Sequence, residues 1–470
     1  MKIYIRTRII RQMRLALLLF GSLLLLISSV AVSAQKSNAL QPTPKIKIAF
    51  QETTLKNGLR VITVEDHHAP VVSLALIYNV GGANEGKGLG GFAHLFEHLM
   101  FQGTQNIEPG KYNNLISNNG GMSNAMTGND RTAYFEMLPS NQLELPFFLE
   151  ADRLRGLSIT QERLDKERNV VQEERRTRVL NQPYGRSREV MTEMLYDNFA
   201  YKHGGMDSTA DLDSASLADI KEFFKTYYAP NNVVLVLVGD FKTEEALTKI
   251  RKYFEDIPRQ PKPEPVDLTE PERKEERRAT IEDALAQSPR VNIAFKTARG
   301  NTPDFFALQI LSSVLGSGQS SRLYQKMVKE SELVGNVSSS AGALRGTGAF
   351  FISATLRPGK KTEDVETAIY EEIERLRKEP ITDAELRKAK NMLAFNFNAN
   401  LNRSLIRGIN LGQYAVLYDD PNLINTQLDK FAAVTREDVQ RVAKKYLKPT
   451  NRTVVITVPK AKTATGGAGN

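Results

Sequence analysis

The stretch GGFAHLFEHLMFQGT, residues 90–104, decides how this sequence is interpreted. The chain has five histidines, and two of them, His94 and His98, lie here four residues apart with Glu97 between them. The surrounding residues are almost all apolar, which predicts a buried helix. Residues four apart project from one face of a helix, so both imidazoles can reach one divalent ion. Unpaired polar groups are costly in such a helix, which favours a function over a surface helix with capping or ion-pairing residues.

A third metal ligand must come from elsewhere in the chain, because catalytic zinc usually takes three protein ligands. The charged stretch ERLDKERNVVQEERRTR, residues 162–178, offers Glu173 and Glu174. Glu167 precedes Glu174 by seven residues, so these two share one helical face. Glu174 as a ligand with Glu167 behind it is a consistent arrangement. A solvated charged helix is the alternative, and it is the commoner outcome for such a pattern.

The two halves of the chain resemble each other. The segment LADIKEFFKTYYAPNNVVLVLVGDF recurs as REDVQRVAKKYLKPTNRTVVITVPK, and ITQERLDKERN recurs as ITDAELRKAKN. FAHLFEHLMF corresponds in the same order to FALQILSSVL, which indicates an internal duplication with one fold in both halves. The second copy has no metal-ligating side chain at the matching positions, which are Leu308, Leu311, Ser312, Ala389 and Asn396. The helices therefore do not need these polar groups in order to fold.

The pattern of apolar segments predicts an α+β fold with two homologous domains, each a largely antiparallel sheet packed with helices. LRVITVE and VVSLALIYNV predict a β-hairpin, and MSNAMTGNDRTAYFEML predicts a second strand pair. A stretch rich in proline and charge predicts a linker. The predicted division is a domain with the histidine pair at 45–257, a linker at 258–278, a domain without metal ligands at 279–460 and a disordered tail at 461–470.

The first 34 residues have the layout of an export signal. Basic residues precede an apolar run at 15–32, and the small residues AVSA follow it. We therefore predict a cleavable signal at 1–34 and a periplasmic protein, with an uncleaved membrane anchor as the alternative. The formal net charge is +9, and five of the positive charges lie in this leader. The remaining charge is too small to indicate a nucleic-acid partner.

Two further patterns in the sequence do not predict binding sites. GGANEGKG, residues 81–88, nearly matches a phosphate-binding loop, but Gly88 stands where a hydroxyl residue would hold magnesium. We therefore expect no nucleotide. His67 and His68 lie in a polar turn and His203 in a loop, and none of the three is expected to bind a metal. The chain has no cysteine, so histidines and carboxylates must hold any metal.

GGFAHLFEHLMFQGT resembles the signature of the pitrilysin/insulinase family of zinc peptidases, which carry the inverted H-x-x-E-H order. The resemblance covers roughly residues 45–460 and includes the duplicated α+β domain. It implies a zinc peptidase with Glu97 as general base and one zinc ion on His94, His98 and Glu174. The downstream carboxylate pair of this family matches Glu167 and Glu174, which favours Glu174 over Glu173.

The resemblance also implies the substrate and how it binds. Members of this family enclose short or unfolded polypeptides in a chamber between two two-domain halves. MSNAMTGNDRTAYFEML resembles their substrate-binding edge strand, so a polypeptide is expected to add as an extra strand beside Asn124 and Ala125. An ordinary strand without this role is an equally good interpretation.

The sequence departs from the family in its second half. Family members that work alone carry an arginine and a tyrosine, seven residues apart, after a segment like LGSGQSSRLYQKM. Val328 and Gly335 occupy those positions here, and neither side chain can donate a hydrogen bond. The sequence thus resembles the zinc-binding subunit of the two-subunit branch that includes mitochondrial processing peptidase, and it predicts a metal-free homologous partner. A non-catalytic, peptide-binding or chaperone-like member is the alternative function.

Overall fold

A computed structural model of the chain describes residues 46–203 and 209–461. The predicted export signal lies outside these residues, as does the predicted tail from residue 462 onward. Within the described part of the chain, no helix combines the length and the apolar character that crossing a membrane requires.

The first half forms one mixed sheet. Its strands are β1 (Gln51–Thr54), β2 (Arg60–Glu65), β3 (Val71–Tyr78), β4 (Met122–Thr127), β5 (Thr132–Pro139) and β6 (Val233–Gly239), in the order β1-β2-β6-β3-β5-β4. β6 is buried at every position, as its unbroken apolar sequence VVLVLVG predicts. β4 lies at the edge of the sheet and pairs antiparallel with β5, which confirms the predicted second strand pair.

The predicted hairpin of β2 and β3 is wrong. β6 lies between these two strands and pairs parallel with β2 and antiparallel with β3. An entirely apolar strand is stable when neighbouring strands and covered faces surround it, so β6 takes the centre of the sheet. A local strand–turn–strand pattern cannot reveal that a strand from much later in the chain inserts between its two members.

The second half repeats this topology without the first edge strand. Its strands are β7 (Arg277–Asp283), β8 (Arg290–Thr297), β9 (Val334–Gly342), β10 (Gly348–Leu356) and β11 (Arg452–Pro459), in the order β7-β11-β8-β10-β9. β11 pairs parallel with β7 and antiparallel with β8, just as β6 does with β2 and β3. The predicted α+β class and the duplication are therefore confirmed.

Helices cover both sheets, and several begin at equivalent positions in the two halves. Ser216 with Asp219, and Thr435 with Asp438, form capping boxes at the start of matching helices. The helices of the first half are α1 (Phe92–Leu99), α2 (Lys111–Asn118), α3 (Glu144–Arg155), α4 (Gln161–Arg175), α5 (Gly185–Leu195), α6 (Phe199–Lys202), α7 (Thr209–Ser214), α8 (Leu217–Tyr227) and α9 (Thr243–Phe254). Those of the second half are α10 (Pro303–Gly316), α11 (Thr362–Lys378), α12 (Asp383–Leu401), α13 (Ser404–Tyr418), α14 (Leu423–Ala433) and α15 (Arg436–Tyr446).

Each half contributes a helix to the core of the other. Leu411 and Ala415 of α13 are buried in one cluster with apolar side chains of β2 and β6. Conversely, Met191 and Leu195 of α5 are buried against side chains of β8, β10 and β11. The hydrophobic cores are therefore shared between the two halves, although the chain passes from one to the other only once, at the predicted linker.

The segment predicted as a linker is held firmly in place. Arg273 is buried, and it donates hydrogen bonds to Thr453 Oγ1 and to the backbone carbonyl of Leu195, both at 2.6 Å. The carboxylate of Glu270 accepts a hydrogen bond from Lys296 Nζ at 2.5 Å. The last two residues of the predicted linker already belong to β7. These contacts tie the connection to both halves of the chain.

Candidate metal centre

The helix α1 presents its two histidines on one side and its apolar residues on the other. Leu95, Phe96 and Leu99 are buried in the core of the first half. The rings of His94 and His98 lie next to each other, with their centroids 4.9 Å apart and their planes at 87°. The apolar face therefore anchors the helix, and the histidine pair faces the helix α4.

The helix α4 supplies a carboxylate to this histidine pair. Glu174 Oε2 lies 3.1 Å from His98 Nε2 and 3.8 Å from His94 Nε2. One ligand atom from each of the three residues lies within 4.8 Å of the other two. Glu173, the other candidate, is more than half exposed and pairs with Arg176. The structure thus brings together the three side chains that the sequence predicted and leaves Glu173 outside.

This set of donors fits a zinc ion. Two imidazoles and one carboxylate are a common catalytic zinc set, and metal binding requires neutral imidazoles. Burial and the neighbouring His98 lower the pKa of His94 to about 4, so His94 is neutral at physiological pH. Burial alone would lower the pKa of His98, but Glu167 and Glu174 raise it. Binding of a cation between the histidines requires that His98 be neutral as well.

Glu167 occupies a different place from the one the spacing suggested. It is buried, and its Oε2 lies 3.5 Å from Nδ1 of His98, so it contacts the far nitrogen of that ring. The sequence had placed it behind Glu174. A carboxylate on the second nitrogen of a ligating histidine fixes the orientation and tautomer of the ring. Arg178 is the residue that holds Glu174, through an ion pair with its Oε1.

Glu97 projects into the same cavity as the histidine pair and is mostly buried. Its Oε2 accepts a hydrogen bond from Thr127 Oγ1 at 2.5 Å. Burial raises the pKa of Glu97, although the bond from Thr127 opposes this effect. Thr127 is the last residue of β4, so the edge strand and the candidate base are directly connected. Nothing in the sequence around Thr127 indicated this contact.

The first turn of α1 is held by Glu85, a buried residue that the sequence analysis did not single out. Its carboxylate accepts hydrogen bonds from the backbone N–H groups of Gly91 at 2.9 Å and Ala93 at 2.7 Å. His203 Nε2 lies 2.8 Å from the same carboxylate, so His203 is more than the loop residue the sequence suggested. Helix N-termini favour negative charge. The position of Glu85 shortly before the helix is therefore the feature of the sequence that could have indicated this contact.

A cavity of about 1530 Å³ contains the candidate metal centre and lies between the two halves of the chain. The edge strand β4 lines it, together with parts of β8, β9 and β10. In the middle of β4, Asn124 Oδ1 accepts a hydrogen bond from the backbone N–H of Ala125 at 2.8 Å. The side chain of Asn124 therefore already binds the backbone N–H of Ala125, which an added strand would need as a hydrogen-bond donor.

The other residues discussed from the sequence lie away from this cavity. Val328 packs against the core of the second half, and Gly335 is exposed in β9. Arg322, in the segment LGSGQSSRLYQKM, donates two hydrogen bonds to Glu385. His67 contacts Asp240 at 2.7 Å at the surface. None of these residues is among the described residues that line the cavity.

Comparison with known proteins agrees with this arrangement. Residues 60–208 match the family model described as insulinase, peptidase family M16, and residues 214–393 match the model described as peptidase M16 inactive domain. Zinc protease PqqE of Helicobacter pylori (strain ATCC 700392 / 26695) is 32% identical over 422 residues, covering 87% of this chain and 93% of that protein. The chain belongs to the insulinase family, peptidase family M16. The resemblance predicted from the sequence is thereby confirmed.

Further similar proteins agree with this chain in sequence and in fold. The probable mitochondrial-processing peptidase subunit beta of Arabidopsis thaliana is 25% identical over 415 residues, covering 84% of this chain and 76% of that protein. The crystal structure of a protease from Helicobacter pylori has a TM-score of 0.84 and 29% identity, covering 88% of this chain and all of that one. The chain therefore has the two-sheet fold of the M16 peptidases over most of its length.

The inactive-domain match, residues 214–393, falls mostly on the half that lacks the histidine pair. Its helix α10 has Leu308, Leu311 and Ser312 at the positions that match His94, Glu97 and His98, and all three are buried. The peptidase-family match covers the half that holds the histidine pair and Glu174. This division agrees with the difference between the two copies that the sequence revealed.

Proposed function

We propose that this chain is a zinc-dependent endopeptidase that hydrolyses short or unfolded polypeptides. The observation that carries the proposal is the position of Glu97, a mostly buried carboxylate in the same cavity as the converging side chains of His94, His98 and Glu174. Two imidazoles and a carboxylate suit zinc, and a further carboxylate beside them suits a general base. The zinc proteases among its relatives support the same reaction.

The chemistry divides between the metal and Glu97. A zinc ion on His94, His98 and Glu174 would polarise the scissile carbonyl and lower the pKa of water. Thr127 holds Oε2 of Glu97, so Oε1 takes the proton from the attacking water and later delivers it to the leaving amine. Base catalysis of this kind contributes on the order of 10² to 10⁴ in rate. Burial raises the pKa of Glu97, and a general base works best when its pKa is near the working pH.

The substrate is expected to bind as an additional strand on β4. An extended polypeptide would pair with the backbone of Asn124 and Ala125, and its carbonyl would replace the Asn124 side chain at the N–H of Ala125. Main-chain hydrogen bonds place few demands on the substrate side chains. The cavity lies between the two halves of the chain, so an unfolded segment should enter where a folded domain should not.

We further propose that a metal-free homologous subunit completes the enzyme. Val328 and Gly335 stand where self-sufficient family members carry hydrogen-bond donors, and a relative is named as a processing-peptidase subunit. A periplasmic location remains a prediction from the leader sequence. A non-catalytic peptide-binding role is the second candidate function, and the inactive-domain match over residues 214–393 is the observation that favours it.

Cleavage of an unstructured peptide mixture by the purified, zinc-loaded chain tests the proposal, with Glu97→Gln as the matched variant. Cleavage only by the unsubstituted chain, alone or with an added metal-free homologue, supports a metallopeptidase. The binding role would be supported instead if the unsubstituted chain and Glu97→Gln each bind one zinc ion and neither cleaves the peptides, even when the homologue is added. Activity of the chain alone would refute the need for a partner.

A further inference from the structure

Tyr184 and Arg290 form a stacked pair in the wall of the cavity that holds Glu97. The guanidinium carbon of Arg290 lies 3.5 Å from the centroid of the Tyr184 ring. Arg290 Nε also donates a hydrogen bond to Thr355 Oγ1 at 2.9 Å. Stacking on a ring and a bond from Nε together fix the plane of the guanidinium group. The two terminal nitrogens of Arg290 are not used by either contact.

The backbone of Tyr184, beside this stack, has an uncommon conformation. Its φ is 65°, in the left-handed region that a bulky side chain rarely adopts. The backbone N–H of Tyr184 donates to Asp283 Oδ2 at 2.6 Å, and its hydroxyl donates to the carbonyl of Ser288 at 2.8 Å. Such residues persist where their surroundings determine them, and they cluster at ligand sites. Contacts from the second half therefore hold the ring beneath Arg290.

Arg290 has no acidic partner among the described residues. Within the described chain no carboxylate lies at ion-pair distance from it, whereas Arg178 in the same cavity pairs with Glu174. Burial lowers the pKa of Arg290, but a guanidinium still stays charged at neutral pH. A partly buried cation without an anion is unfavourable, so the position suits an anionic group of a ligand.

We propose that Arg290, supported by Tyr184, is a carboxylate-binding subsite that gives the cavity a preference for peptides with an acidic group. The inference rests on the proposed function only in that the ligand is a peptide. A fixed guanidinium whose two terminal nitrogens are bound by no described residue matches the two oxygens of a carboxylate. The carboxylate belongs either to a glutamate or aspartate side chain or to the carboxyl terminus of the peptide.

Peptide binding to the zinc-loaded Glu97→Gln chain tests the subsite without turnover. The probes are fluorescein-labelled, unstructured Ser/Ala peptides that carry one Glu at a different position in each peptide. A matched set has Gln in place of Glu, and a further set has an amidated carboxyl terminus. At one position Glu should bind about tenfold more tightly than Gln, as expected of a charged hydrogen bond. If amidation alone removes the preference, the subsite binds the terminal carboxylate. A chain that binds all the peptides equally would overturn the proposal.

The residue assignment is tested by Arg290→Met in the same background. This variant should lose the preference, whereas Arg259→Met, the same change at an exposed arginine outside the cavity, should retain it. Arg290→Lys keeps the charge without the planar fork and should retain only part of the preference. Unchanged zinc content and melting temperature show that the variants fold. A preference that survives in Arg290→Met would overturn the assignment.

The two proposals fail in different ways. Turnover without any preference for acidic peptides would refute the subsite and leave the peptidase intact. A preference that depends on Arg290, in a chain that cleaves nothing with or without a homologous partner, would refute the peptidase and leave the subsite. A chain that binds none of these peptides would overturn both.

Discussion

Replacement of Glu85 by glutamine should weaken both the fold and the candidate metal site. Glu85 is buried and accepts three hydrogen bonds, from the backbone of Gly91 and Ala93 and from His203, at 2.7 to 2.9 Å. Bonds to a charged group contribute about 1.5–3 kcal/mol each, and breaking a buried ion pair costs about 3–5 kcal/mol. Burial raises the pKa of Glu85, which means that the site disfavours the charged carboxylate and offsets part of this stabilisation. We therefore expect a loss of about 3 kcal/mol.

The same substitution should lower the affinity for zinc, because Glu85 holds the turn of α1 that carries His94. Residues that contact metal ligands typically contribute 10–100-fold to the metal affinity. Glu85 does not contact a ligating side chain but holds the backbone next to His94, so its effect should lie at the lower end of this range. We expect a loss of about tenfold. Urea unfolding followed by circular dichroism measures the stability of the zinc-free protein. Competition with a chromophoric chelator measures the zinc affinity.

Glu108→Gln is the matched control, since Glu108 is exposed in the loop after α1. It should change neither quantity measurably. An unfolding free energy for Glu85→Gln within about 0.5 kcal/mol of the unsubstituted chain, the range of ordinary surface changes, would refute the reasoning. Lost stability with unchanged zinc affinity would show that Glu85 supports the fold but does not position the ligands.

Three further results are expected. Glu174→Gln should abolish stoichiometric zinc binding in a metal analysis, whereas Glu173→Gln, its exposed neighbour, should retain it. Burial alone would lower the pKa of His203, but its buried carboxylate partner raises it. While Glu85 is ionised, the stability from this pair is therefore fully present below about pH 6.5 and is lost as the pH rises through the pKa of His203 in the folded protein. The expectation would be contradicted if the melting temperature of the unsubstituted chain falls no more steeply above pH 6.5 than that of His203→Gln. Gly412→Ala would place a methyl group 2.4 Å from an isoleucine of β3, and it should cost about 1–3 kcal/mol in chemical unfolding; an unchanged midpoint would show that α13 can shift.

Several local features were predictable because the sequence encodes them within one segment. An apolar helix with His94, Glu97 and His98 on it follows from the residues themselves. The separation of Glu167 and Glu174 places both on one face of α4. The difference between the two copies revealed which polar residues folding does not require. These inferences rest on periodicity and on comparison within the chain, and neither requires knowledge of long-range packing.

Other features depend on which distant segments pack together, and local patterns do not carry that information. β6 separates β2 from β3 because a wholly apolar strand is most stable at the centre of a sheet. Glu167 contacts His98 rather than Glu174 because the packing of α4 on α1 determines which atoms meet. Glu85, His203 and Thr127 come from three separate segments, and only the fold brings them to the metal helix.

The sequence by itself thus determined the family, the α+β class and the identity of the metal-binding candidates. The tertiary structure decided how the two halves share their cores and which groups orient those candidates. The physical reason is that side-chain periodicity specifies which face of an element is buried, whereas the partner of that face is chosen by the packing of the whole chain.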